Sequence, residues 1–151
     1  MAEARLSIED AARRLGVTPR TLHYYEEMRL IEPCDRTAGG HRLYDQAVIR
    51  RLEHILRMKE GLGYSLQEIR AILDAEETLD SLRVTYHSDI TADERERILE
   101  RSVELLEGIV RNIDDKLLKL NRMKASFEDR LNKVKRSRRA AAGTQRSDHQ
   151  A

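Results

Sequence analysis

Large aromatic rings are scarce in this 151-residue chain: one phenylalanine, five tyrosines and no tryptophan. That excludes a large globular core and an aromatic-lined ligand box. A single cysteine excludes a disulfide framework and a thiolate metal cluster within one chain. Two prolines and seven glycines are too few for a linker-rich or collagen-like polymer. Long apolar runs are missing as well, which excludes a membrane span and a signal peptide and predicts a cytoplasmic protein with no membrane partner. With 36% charged residues, much of the chain must be solvated, so the length predicts one small domain or one domain with an extended appendage.

A net charge of +1 hides an uneven distribution. Residues 1–75 carry 12 basic and 12 acidic side chains, residues 76–131 carry 10 and 14, and residues 132–151 carry 6 and 1. Inside the balanced first block, Ala11–Tyr25 holds Arg13, Arg14 and Arg20 and no acid at all. A neutral total is therefore compatible with one basic face, of the kind that meets phosphates.

Ser7 opens "SIEDAARRLG", a capping box with Asp10 at the third helical position and apolar residues at helical spacing. Gly16 is the stop signal, and Thr18-Pro19 starts the next helix at once. Helix, glycine turn, helix is the spacing of a helix-turn-helix. Pro33 and Gly39-Gly40 then break any helix, so "IEPCDRTAGGHRLY" predicts a β-hairpin or wing. Its strands would be Leu30-Ile31 and Leu43-Tyr44, with a tip at Thr37–Gly40. A helix is expected from Asp45 to about Glu60, and Ser65 with Glu68 caps a short one through Leu73. Residues 74–91 read as a fraying end, a short helix near Leu79–Tyr86 and a loop.

Thr91 and Glu94 open the longest helix. Along it Leu99, Val103, Leu106, Val110, Ile113, Leu117, Leu120, Phe127, Leu131 and Val134 recur at alternating steps of four and three, interrupted only by Lys124. That is a heptad seam, and only a partner helix can bury it. From about residue 136 the basic end "RSRRAAAGTQRSDHQA" reads as a disordered tail.

The pair Tyr24-Tyr25 on the second helix is conspicuous in a chain so poor in rings. Adjacent helical residues diverge by about 100°, so one ring can pack inward or brace the wing while the other meets a DNA backbone. A tyrosine hydroxyl suits a phosphate oxygen, and an arginine fork suits it better.

Taken in order, "RLSIEDAARRLGVTPRTLHYYEEMRLIEP", "RTAGGHRLYD" and "LGYSLQEIRAIL" resemble the DNA-binding domain of the MerR family of bacterial transcriptional regulators. The resemblance implies a mainly α fold: an N-terminal winged helix-turn-helix over 5–75, a connector at 76–91, and a dimerisation helix over 92–135 that forms an antiparallel coiled coil. It implies a homodimer that binds a pseudo-palindromic promoter operator and distorts it to control transcription initiation. The partners it implies are double-stranded DNA, RNA polymerase at the promoter and a small-molecule effector near residues 64–91. By position, Thr18, Arg20, Thr21, His23 and Tyr24 fall in the recognition helix, and Arg36, Gly40, His41, Arg42 and Tyr44 in the wing. With Arg13, Arg14 and Tyr25 these form the expected DNA-facing set. His23 departs from the arginine common in the family, and a neutral imidazole is a weaker phosphate ligand.

Other chemistry has little behind it. Cys34 lies in the wing, whereas metal-sensing members place their cysteines at the start of the dimerisation helix and in a C-terminal loop. The five histidines are scattered singly, without metal-ligand spacing. Gly39-Gly40 lacks the following lysine of a phosphate-cradling loop. No nucleophile–base pair is in view, so neither an enzyme, a cofactor nor a resident metal is expected. An effector-independent repressor and a coiled-coil protein-interaction module are the alternative functions.

Overall fold

The computed structural model describes residues 4–147 and divides into two units between Thr78 and Leu79. In the first unit, α1 (Ile8–Leu15) begins where the Ser7 hydroxyl accepts the Asp10 N–H at 3.1 Å. It ends at Gly16, whose φ of 69° is a left-handed stop that needs no side chain. After a three-residue turn, Thr18 caps α2 (Pro19–Glu27) by accepting the Thr21 N–H at 3.2 Å. α2 closes unusually, with Arg29 rather than glycine at φ 55°. The Leu30 N–H then bonds the Tyr25 carbonyl at 2.9 Å, and the Leu30 side chain is buried, so the core holds the strained turn in place.

The wing is a three-stranded antiparallel sheet in the order β1 (Leu6–Ser7), β3 (Arg42–Tyr44), β2 (Asp35–Arg36). Leu43 faces Ser7 on one side and Asp35 on the other. Two expectations are corrected here. Leu30-Ile31 is not a strand but a buried segment of irregular chain, because both side chains are drawn into the core. Its place as the partner of Leu43-Tyr44 is taken by Asp35–Arg36 and by the chain just before α1. The expected tip holds: the Gly40 N–H bonds the Thr37 carbonyl at 2.8 Å, with Gly40 at φ 81°.

Asp45 caps α3 (Gln46–Leu56), which gives way to a π-helical turn at Arg57–Gly61 instead of running on as regular helix to Glu60. The turn brings Met58 into the core alongside Ile49, Leu52 and Ile55, and Tyr64 follows after Gly63. Fifteen buried apolar side chains, from these helices, the wing and residues 69–73, form one cluster that includes Leu22, Tyr25 and Tyr44. Shortening one of them, Leu22→Ala for instance, should cost about 2–5 kcal/mol.

The Ser65–Glu68 capping box forms as expected, but the helix it opens, α4 (Leu66–Tyr86), does not stop at Leu73. Residues 74–86 contain no proline or glycine, so nothing in them breaks the helix. The ambiguous connector thus reduces to a loop at 87–91. In the second unit, the Thr91–Glu94 capping box starts α5 (Ala92–Ser147), with the Glu94 carboxylate accepting the Thr91 N–H at 2.8 Å. That backbone bond, ahead of the hydroxyl bond, holds the Glu94 carboxyl below its usual range. α5 passes residue 135 without interruption, and this corrects the expectation of a disordered tail from 136. "RRAAAG" contains strong helix formers and no proline, so its net positive charge does not end the helix. Residues 148–151 of that expected tail lie outside the described residues.

Candidate nucleic-acid interface

On α2, Arg20 is exposed and Tyr24 is 47% exposed, while Thr21 and His23 are half-buried. Thr18 at the cap is also exposed, its hydroxyl 3.0 Å from that of Thr21. Arg13 and Arg14 stand exposed on α1, Arg13 being tethered to Asp10 at 3.1 Å. The exposed surface of the two helices thus carries guanidinium and hydroxyl groups, with Arg14 also lining a groove beside Glu53 and Glu60.

The adjacent tyrosines divide as helical geometry requires. Their ring centroids are 6.3 Å apart and tilted by 43°. Tyr25 is 2% exposed and belongs to the core, so it is removed from the DNA-facing set. Tyr44 is corrected likewise: at 0% exposure it plugs the base of the wing. Burial pushes both hydroxyls above their ordinary pKa of 10.0, with a further push from Glu60 at Tyr25 and from Glu26 at Tyr44. The Tyr44 hydroxyl has no hydrogen-bond partner among the described residues.

In the wing, Arg36, Gly40 and His41 are exposed and Arg42 is half-buried. Arg36 Nη1 donates to the Gly40 carbonyl at 3.2 Å, stiffening the tip. Both wing arginines also meet Glu26 of α2. Arg42 Nε donates to Glu26 Oε2 at 2.5 Å, and Arg36 Nη2 lies 3.7 Å from Glu26 Oε1. Sequence reasoning overlooked Glu26. The only signal for it was an acid beside the tyrosine pair, with two unpaired arginines in the following hairpin. Cys34 is exposed, with its thiol toward the Leu43 carbonyl at 3.3 Å.

The ten seam positions from Leu99 to Val134 are all on the surface of α5, each between 42% and 66% exposed. Lys124, at the interrupted position, is 3.4 Å from Glu128. Between the end of α4 and the start of α5, a groove of about 360 Å³ is lined by Leu79, Asp80, Arg83, Tyr86, Ile98, Leu99, Ser102 and Leu106. Arg95 covers the Tyr86 ring at 5.8 Å from its centroid. Among the described residues, no helix is long and apolar enough to cross a membrane, and no group of three or more His, Cys, Asp or Glu is placed to hold a metal.

A helix-turn-helix flanked by a short antiparallel wing, followed by a single long helix, defines a winged-helix DNA-binding regulator. Residues 6–76 match the family model described as "MerR HTH family regulatory protein". The HTH-type transcriptional regulator YfmP of Bacillus subtilis is 35% identical over 130 residues, covering 86% of this chain and 90% of YfmP. The nodulation protein NolA of a Bradyrhizobium species is 46% identical over 78 residues, which are 52% of this chain but only 32% of NolA. Among solved structures, the N-terminal part of the B. subtilis multidrug transporter activator Mta is 30% identical, covering 75% of this chain and 98% of that one with a TM-score of 0.44. The chain belongs to the MerR family and is a DNA-binding transcriptional regulator.

Proposed function

We propose that the protein acts as a homodimer that binds a pseudo-palindromic promoter operator and distorts it to control transcription initiation. The observation that carries this reading is the apolar seam on α5, broken only at Lys124 and exposed along its whole length in the single chain. A stripe of that size in water favours association strongly, and heptad spacing selects a helix as its cover. Charge favours an antiparallel pairing. Over residues 92–115 α5 carries eight acidic and four basic side chains, and over residues 116–147 it carries two and eleven. Antiparallel helices bring acidic start against basic end, whereas parallel ones would stack like on like. Leu99 and Leu106 belong both to the seam and to the α4–α5 groove, so a second copy would also close that groove. An effector bound there would be felt at the contact between copies.

In this reading Arg20 enters the major groove from α2, and Thr18, Thr21, His23 and Tyr24 flank it. Arg13 and Arg14 of α1, with Arg36, Gly40, His41 and Arg42 of the wing, meet phosphates. Two such heads at a separation set by a stiff coiled coil engage a mismatched spacer only by bending or untwisting it, at a cost of order 1–6 kcal/mol for smooth bending. RNA polymerase would then meet the reshaped promoter. The test is selection of duplexes from a random pool, followed by footprinting. The reading expects two inverted half-sites on one face of the duplex, with affinity falling log-linearly with salt. Recovery of no preferred sequence, or of a single half-site bound by a monomer, would overturn it.

A further inference from the structure

We propose that Glu26 is a positioning residue for DNA recognition: it ties both wing arginines to the recognition helix and so sets the angle at which the wing meets the backbone. The inference rests on the DNA-facing roles given above to α2, Arg36 and Arg42. Glu26 sits on the last turn of α2, its side chain only 18% exposed, and it receives a guanidinium on each carboxylate oxygen. Arg42 lies on β3 and Arg36 on its neighbour β2, paired across the sheet, so one carboxylate grips both strands of the hairpin. Arg36 also donates to the Gly40 carbonyl, which extends the tie to the tip. Nearby, Arg5 pairs with Asp35 at 2.6 Å through side chains about half exposed, and Glu9 of α1 acts on the Tyr44 hydroxyl; among the ion pairs of the described residues, Glu26 is the acid that joins the hairpin to α2.

This arrangement has a cost that explains why it concerns positioning rather than fold alone. A carboxylate next to two phosphate-seeking guanidiniums opposes DNA attraction in general and lowers affinity for any duplex. What it provides in return is a fixed guanidinium geometry, which rewards only the duplex whose backbone lies where the wing points. Glu26 therefore contributes to discrimination at the expense of non-specific affinity. A residue that merely stabilised the fold would do neither.

The experiment measures affinity for a duplex that the wild-type protein selects from a random pool, and for a scrambled duplex of the same length and salt. Glu26→Ala should lower the ratio of selected to scrambled affinity by about tenfold, while affinity for the scrambled duplex stays unchanged or rises. Glu26→Gln, which keeps the shape and loses the charge, should move both quantities in the same direction by less. In an Arg36→Ala/Arg42→Ala background, Glu26→Ala should change the ratio less than twofold, because Glu26 acts through those two side chains. In magnetic resonance spectra of the free protein, the Arg42 Nε–H signal should be slow to exchange in the wild type and lost in Glu26→Ala. An equal fall of the ratio in both backgrounds, a fall in scrambled-duplex affinity, or an unchanged ratio would each overturn the assignment. If the wild type itself selected no sequence, the DNA-binding arrangement would fall first and Glu26 with it.

Discussion

Two glutamates placed in the α5 seam should separate the proposed dimer. Val110 and Leu117 are 54% and 50% exposed in the single chain, so about half of each remains to be buried by a partner. Complete burial of a large apolar side chain contributes roughly 1.5–3 kcal/mol, so each position adds about 0.8–1.5 kcal/mol on pairing. A dimer contains four such side chains, which together contribute about 3–6 kcal/mol. Val110→Glu/Leu117→Glu removes this and adds four carboxylates that must lose water on association. At 1.4 kcal/mol per tenfold change, dimer dissociation should rise by at least two to four orders of magnitude. Sedimentation velocity over a concentration series would report the shift, and helical content should fall as α5 loses its cover. The winged unit should keep its own melting transition, since its core contains neither residue. A double variant that dimerises within tenfold of the wild type would show that this stripe is not the contact.

Tyr44→Phe removes a buried hydroxyl that has no hydrogen-bond partner, and such a group costs about 1–3 kcal/mol. The variant should therefore melt several degrees higher, at about 4–8 °C per kcal/mol for a domain of this size, and a lower melting temperature would refute the reasoning. Both Tyr25 and Tyr44 are raised above pKa 10.0, so folding favours the neutral phenol. The stability this supplies is complete below pH 10 and is lost as pH rises through the folded values, so alkaline melts should show a steep decline that Tyr44→Phe reduces. Arg20→Ala should cost about 1–3 kcal/mol and relax preference at one position in each half-site, whereas Tyr24→Phe should weaken all sequences alike. Footprints indifferent to both changes would mean that α2 is not in the groove. Cys34→Ser should leave operator affinity within about threefold, well below the tenfold that 1.4 kcal/mol produces. Loss of an oxidant or electrophile response in that variant would instead make Cys34 a sensor.

Local signals were legible in the sequence because the groups concerned lie three or four residues apart. The caps at Ser7, Thr18, Ser65 and Thr91, the left-handed stop at Gly16 and the turn at Gly40 all involve backbone and side chain within one helical or hairpin turn. The seam was legible for a similar reason, since periodicity survives whatever the partner is. Helix ends without a breaker were not: nothing at Leu73 or at residue 135 stops the chain, and charge composition alone is a weak terminator. The choice of Asp35–Arg36 over Leu30-Ile31 as a strand depended on the core competing for the two apolar side chains, and no local rule expresses that.

Tyr25, Tyr44 and Glu26 show where such reading runs out at the site itself. Each belongs to a residue type that suits a DNA surface or a solvated helix flank, yet position relative to the core decides its role. Tyr25 follows an exposed tyrosine by one step on α2, and that 100° turn alone carries it from the surface to 2% exposure. Tyr44 lies at the end of the wing strand whose other end carries Arg42, and the switch of face between Leu43 and Tyr44 takes its ring inside. Glu26 meets Arg42 across 16 residues of chain, a pairing that exists only once hairpin and helix have both formed. Helical and strand periodicity thus accounts for the exposure of Arg20, Tyr24, Arg36 and His41, while the contacts around them belong to the tertiary fold. A search for recognition residues in related sequences should accordingly look beyond the basic and hydroxyl groups of the second helix. The acid that faces inward from its last turn determines whether the wing arginines are fixed in direction or free to meet any phosphate within reach.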